Sequence, residues 1–210
     1  MIFLEVLLEG EADVPVVRNI LERRFNLAEN QHFRIHPHRG KGTLPANPLS
    51  RPAPEHRGLL DQLPAKLRGY AHLPDGFCVV VLVDADRTDC RILKQALVNL
   101  CNSLPRRPAC VLFRIAVEET ESWFLADANA IHTAYGRAKL NKLPHHPDVV
   151  IGAWEKLAEV LGRKPEDCYG AAKYEWATNI SPHLDLINPH SPSLRAFVNG
   201  IDALVQRHDP

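Results

Sequence analysis

The sequence predicts a mostly parallel α/β fold, and three observations carry that expectation. First, apolar, branched runs at Ile2–Leu8, Phe77–Val83 and Cys110–Ala116 alternate with stretches of helical periodicity. Second, FCVVVLV over Phe77–Val83 is apolar without interruption, the pattern of a strand covered on both faces. Third, acidic residues follow directly on these runs, where open α/β sheets place their ligands.

The elements follow in order. Ile2–Leu8 reads as a buried strand ending at Glu9-Gly10, where the glycine is expected to let the backbone turn tightly. Asp13 reads as the cap of a helix with Pro15 in its first turn and Val16, Val17, Ile20, Leu21 and Phe25 on its apolar stripe. Phe33–His38 is a short second strand. Arg39–Arg57 is a long Gly/Pro-rich loop, a kind often functional or mobile. A helix is expected over Leu59–Tyr70, then the FCVVVLV strand, then a helix over Cys90–Leu104 capped by Asp89. The Cys110–Ala116 strand leads into a helix starting near Glu118. Past Asp127 the strand signal stops, and helical patterns recur at Val149–Leu161, Ala171–Ile180 and Ser193–Arg207. This divides the chain into an α/β part over residues 1–127 and a helical C-terminal extension over 128–210, packed on it.

Composition bounds the function. The 210 residues are 45% hydrophobic and 24% charged, enough for a sizeable core without metal or disulfide. Net charge is zero, which excludes coating of nucleic acid by bulk charge but leaves room for a local patch. Between Arg34 and His72 stand seven Lys/Arg (Arg34, Arg39, Lys41, Arg51, Arg57, Lys66, Arg68) against Glu55 and Asp61. The five cysteines are scattered, with no C-x-x-C pair, and are expected to be reduced thiols of a cytoplasmic protein. The N-terminal stretch is too short and acidic for a signal peptide, and no apolar run is long enough for a membrane span.

The acids at strand ends are Glu9, then Asp84 with Asp86, then Glu118, Glu119 and Glu121. Clustered carboxylates repel one another unless a cation holds them, and hard oxygen donors suit Mg²⁺ or Mn²⁺. The plain alternative is that each acid only caps the next helix. Glu118 and Glu121, spaced i, i+3 on one helical face, are candidates for a further metal-binding group, and Glu119 is expected to face solvent. Arg39-Gly40-Lys41-Gly42 is a candidate phosphate cradle through backbone N–H groups and Lys41, although it is not a P-loop; a flexible basic loop is the alternative. Lys173, near Trp176, is a candidate catalytic cation in the same cleft, or else a solvated lysine over a buried tryptophan. Histidines 32, 36 and 38 are poorly spaced for zinc, and His183 and Asp185 are assigned to packing.

LLEGEAD followed by VLVDADR resembles the Toprim signature: Glu-Gly after the first strand and Asp-x-Asp after the third. The spacing of Glu9, Gly10 and Asp13 is similar to that of the overcoming-lysogenization-defect nucleases. Over nearly the whole chain, VLLEGEADVPVV, HRGKGTL, VVVLVDADRTDC, RIAVEETESWFLAD, K-x-x-W-A-x-x-I-x-x-H-L-D and N-x-x-S-P-S-L resemble the family termed domain of unknown function 4276. The resemblance implies a Toprim-like fold in which Glu9 is a general acid/base or metal ligand and Asp84 and Asp86 bind Mg²⁺. It also implies a metal-dependent nuclease acting on nucleic acid, DNA before RNA, with an ATPase encoded nearby in phage-defence loci. Two other readings stay open: a non-catalytic module binding an ATPase or nucleotide, and a haloacid-dehalogenase-type phosphatase using Asp84-Ala85-Asp86-Arg87-Thr88.

Overall fold

The structure is a computed structural model that describes residues 2–168 and 170–208, with His208 traced by its backbone. Strands β1 (Phe3–Leu8), β2 (Phe33–Pro37), β3 (Phe77–Asp84) and β4 (Val111–Ala116) form a four-stranded sheet in the order β2-β1-β3-β4. Every pairing is parallel, with Val6 opposite both Ile35 and Val80, and Val81 opposite Phe113. The parallel α/β expectation is therefore met.

Helices cover both faces of the sheet, and the alternation of side chains along β1 and β3 decides which residues meet them. On one face Leu59, Leu60, Leu63 and Leu67 of α2 (Leu59–Gly69) and Leu93, Leu97 and Leu100 of α3 (Cys90–Ser103) pack on Leu7, Val79, Val81 and Val83. On the other, Leu4, Val6, Leu8, Val80 and Leu82 meet α1 (Val14–Phe25) and the remaining helices. Those are α4 (Glu121–Leu125), α5 (Ala128–Ala134), α6 (Ala153–Val160), α7 (Gly170–Ile180) and α8 (Pro192–His208). Trp123, Trp176 and Phe197 are fully enclosed in this second cluster. The C-terminal helices thus share one continuous core with the sheet.

Two differences from the sequence reading concern the sheet. Cys78 and Cys110 are paired as a disulfide with a Cα–Cα distance of 4.7 Å, where reduced thiols were expected. The cause is register: Val79 pairs with Val111, so the residues one step earlier on the two strands are also neighbours. The helix expected near Glu118 begins instead at Glu121, because Glu118 adopts a left-handed backbone with φ 64° that cannot continue into a helix. Among the described residues, no helix is long and apolar enough to cross a membrane.

Candidate functional site: a carboxylate cluster at the sheet edge

The carboxyl ends of β1 and β3 lie side by side, so the residues that follow them share one edge of the sheet. The Glu9 carboxylate accepts a hydrogen bond from the Asp84 amide at 2.7 Å, which ties the two strand ends together. Gly10 is extended, at φ −151° and ψ 173°, so its left-handed freedom is unused, contrary to expectation. The chain then forms a short turn that aims Asp13 back at the same edge.

Asp13 stands at the start of α1 but makes no side-chain cap bond there. Its carboxylate accepts from the Gly10 amide at 3.2 Å and from the Thr120 hydroxyl at 2.9 Å. The sequence reading treats it as a helix cap, and this is corrected: it is a buried member of the acidic cluster. The spacing of Glu9, Gly10 and Asp13 in the sequence was the signal that could have found it.

From the far side α4 contributes Glu121, only 3% exposed. One of its oxygens has no partner among the described residues, and the other faces Lys173 Nζ at 3.4 Å. Glu118 does something else. Its carboxylate accepts from the amides of Gly152 and Ala153 at 2.9 and 3.0 Å, capping α6. The pairing of Glu118 with Glu121 on one helical face therefore fails, because only Glu121 is in a helix. Glu119, expected in solvent, is 15% exposed and accepts from Lys173 Nζ at 3.1 Å and from the Trp154 amide at 3.1 Å. Lys173 is accordingly an ion-paired group at the cluster, lying 5.9 Å from the centre of the Trp154 ring rather than over Trp176.

The electrostatics follow from this crowding. Burial pushes Glu9 up to about 7, against the Asp84 amide and Lys41, and the charges of Asp13 and Asp86 add to the rise. Burial likewise pushes Glu121 up to about 7, with Lys173 opposing. Asp84 is held well above the usual carboxylate range by burial and then by the charges of Asp13, Glu9 and Glu121. Asp13 is raised, again by burial first. Burial works against the charge of Lys173, yet Glu121, Glu119 and Asp84 together keep its ammonium above the usual lysine range. Four carboxyls from different segments thus share one edge with too little positive charge to ionise them all.

Asp86 stands apart. Its side chain is 54% exposed, its backbone is left-handed at φ 48°, and its carboxylate is held by Lys41 Nζ at 2.8 Å. Lys41 Nζ also donates to the Ala85 carbonyl at 3.1 Å. The loop bearing Lys41 is sewn to the site and to α2: the Gly40 amide donates to Glu9 O, and the Gly40 and Lys41 carbonyls accept from Leu59 and Leu60. Asp61 takes the amides of Thr43 and Gly58, where Gly42 and Gly58 approach too closely for a Cβ. The amides of Arg39 and Gly40 are spent on Arg57 O and Glu9 O, so the cradle expected from backbone N–H groups is not formed by them. Lys41 is the part of that motif that reaches the acids.

The donor chemistry fits a hard divalent cation: all oxygen, buried, under-neutralised, with an unpartnered oxygen on Glu121. Among the described residues, however, no three His, Cys, Asp or Glu side chains stand close enough, as placed, to hold a metal ion. Asp86 on Lys41 and Glu9 on the Asp84 amide are spoken for.

The fold and this edge define a parallel α/β protein with a buried, charge-deficient carboxylate cluster across the ends of its two central strands. Glu9 and Asp84 meet at the ends of these strands, whereas Asp86, one of the three acids the Toprim resemblance names, lies outside the cluster on Lys41. The chain belongs to the family described as Domain of unknown function (DUF4276), whose model matches residues 8–202. Among solved structures it is similar to the C-terminal region of the Xanthomonas campestris pv. campestris OLD protein phased with iodine. That match has 14% identity and a TM-score of 0.49 and covers 98% of this chain and 97% of that one. The same region phased with mercury matches at 16% identity, a TM-score of 0.47 and 98% coverage of both chains. No curated protein matches the chain.

Proposed function

We propose that this chain is a metal-dependent phosphodiester hydrolase of the Toprim type, acting on nucleic acid, DNA before RNA, beside a partner ATPase. The observation that carries the reading is the meeting of Glu9, Asp13, Asp84 and Glu121 at one sheet edge with raised pKa values and Lys173 facing them. Buried carboxylates that crowd one another repel unless a cation holds them, and this crowding, with Lys173 the counter-charge beside them, supports a site that takes cations.

Glu9, Asp84 and Asp86 would hold one Mg²⁺ or Mn²⁺, and Asp13 and Glu121, in place of Glu118, would serve a further one. A bound divalent cation supplies Lewis-acid polarisation of a phosphoryl oxygen. The chain's own groups do the rest. Glu9, whose carboxyl burial raises, is the group at this edge for general acid/base work where it does not itself hold the cation. Lys173, kept charged by its carboxylates, places an ammonium where negative charge grows on the phosphate. Lys41 and the exposed Arg39, Arg51 and Arg57 offer contacts to flanking phosphates.

The test is Asp84→Asn. The amide keeps the shape and loses the charge. Mn²⁺-dependent nicking of plasmid should disappear, and metal-free melting temperature should rise, because one repelling carboxyl is gone. A variant that melts lower, beside a wild type indifferent to Mn²⁺, would sink the reading in favour of a non-catalytic module that binds an ATPase or nucleotide.

A further inference from the structure

We infer that the cavity between the 43–57 loop and α2 takes an unpaired nucleobase of the bound strand, so that single-stranded or locally opened nucleic acid is what this chain recognises. The inference rests on the function proposed above.

The cavity measures about 430 Å³. That is the lower part of the ~300–1,000 Å³ range of small-molecule sites, room for one nucleotide and not for a duplex. Pro45, Pro52, Pro64 and Ala65 give it stiff apolar walls, with Arg51 and His56 beside them.

The loop around it is fastened rather than slack. Its ends meet where a Gly58 Cβ would come within 2.5 Å of the Gly42 backbone. Asp61 holds the amides of Thr43 and Gly58, Gln62 donates to the His56 carbonyl, and Arg68 donates to the Pro48 carbonyl. Pro64 stands inside α2, where it has no amide to give the Leu60 carbonyl. The helix thus gives up a bond at the place where it forms the cavity wall.

Three features select the occupant. Asp61, the acid of the lining, is spent on its own loop, so a cation finds no free carboxylate there. Arg51 and His56 make no side-chain hydrogen bond among the described residues, and a guanidinium plane or an imidazole ring is a surface on which bases stack. Thr43 lies two residues past Lys41, no more than about 7 Å along the chain. A strand with one phosphate on Lys41 therefore has a neighbouring base within reach of the cavity. A base held in a duplex is stacked and paired, and it enters such a pocket only once it is unpaired.

The experiment uses the full chain without divalent cation, so that no strand is cut. Fluorescence anisotropy compares a short labelled single-stranded DNA, the same strand with abasic sites throughout, and the corresponding duplex. Wild type should bind the normal strand about ten-fold more tightly than the abasic one, the loss expected for one stacked base. It should also prefer the single strand to the duplex. Ala65→Phe fills the cavity and should erase the difference between normal and abasic strands, with abasic affinity unchanged because the phosphate contacts are untouched. Its circular dichroism beside that of wild type guards against misfolding. Arg51→Ala, in the exposed loop, should shrink the same difference without touching the helix. Wild type that binds normal and abasic strands equally, or a folded Ala65→Phe that keeps the preference, overturns the base pocket, while Mn²⁺-dependent plasmid nicking in the same preparation leaves the nuclease reading standing. Wild type that takes a nucleoside monophosphate but no strand overturns the strand as occupant and favours the nucleotide-binding module. Wild type that binds neither strand nor duplex sinks the function proposed above and this inference with it.

Discussion

Glu118 and Glu121 are three positions apart and both nearly enclosed, 9% and 3% exposed, yet they belong to regions built on opposite rules. Glu118 is on the helical flank, where carboxylates are consumed by backbone donors. It caps α6, Asp127 takes the amides of Ala130 and Asp185, Asp148 takes that of Ser193, and Asp185 takes those of Ile187 and Asn188. Glu121 is on the sheet edge, where the charges of Glu119, Asp13 and Asp84 act on it; the oxygen it leaves without a partner among the described residues is matched on the flank by one each on Asp148 and Glu155, so the crowding is what sets it apart. Acids of the first region hold the fold together. Acids of the second also accept backbone amides, at Glu9 and Asp13, but they stand against one another as well, and that crowding is the difference between the two regions.

The largest expected effect lies on the flank. Glu118→Ala removes two charge-assisted hydrogen bonds and leaves the Gly152 and Ala153 amides unsatisfied in a buried setting. A cost of about 3 kcal/mol follows, or roughly 6–12 °C in melting temperature for a chain of this size. Thermal unfolding without metal measures it, and an unchanged midpoint would mean that the cap is not needed.

Glu121→Gln should act in the opposite direction. The folded protein holds this carboxyl near 7 and the unfolded chain holds it at its ordinary value near 4.5. Between those values the folded state keeps the extra proton, so metal-free stability falls as pH rises through the window and levels off above it. Glu9, raised to about 7, and Asp13 and Asp84, also raised, push the same way. The variant cannot ionise there. It should melt above wild type by about 1–3 kcal/mol at pH 8 and lie close to it at pH 5. Mn²⁺ should close the gap at pH 8 by stabilising wild type. A variant that melts lower at both pH values would place Glu121 with the structural acids.

Much of this contrast was legible in the sequence, and the exceptions have physical causes. The apolar runs that became β1, β3 and β4 fixed which acids stand at strand ends, so Glu9, Asp84 and Asp86 emerge from periodicity alone. Helical spacing could not separate Glu118 from Glu121, because the left-handed residue that ends one turn and starts the other carries no side-chain signature when it is a glutamate. Asp13 was hidden by its position before a proline-started helix, where a cap is the ordinary reading; besides the nearby Gly10 amide its carboxylate is bonded to Thr120, 107 positions away. Glu119 and Lys173 find each other across 54 positions, and Cys78 and Cys110 across 32, distances over which no local pattern operates.

The smallest expected effect sharpens the comparison from the site's own rim. Asp89 lies three residues past Asp86, and its exposed carboxylate accepts from the Arg91 and Ile92 amides at 2.7 and 3.2 Å, capping α3. It is an acid at the sheet edge that obeys the rule of the flank. Asp89→Ala should cost about 1 kcal/mol, since water can replace an exposed cap, and lower the melting temperature by roughly 2–4 °C. It is a third of the Glu118 loss because burial, not bond count, sets the penalty for an orphaned amide. Mn²⁺ affinity should not change, because Asp86 is held by its own amide on Glu118 O and by Lys41, and neither contact runs through Asp89. Titrating Mn²⁺ into the variant decides the point: weakened binding would mean that the α3 cap helps position Asp86, and the border between structural and functional acids would have to move three residues along the chain.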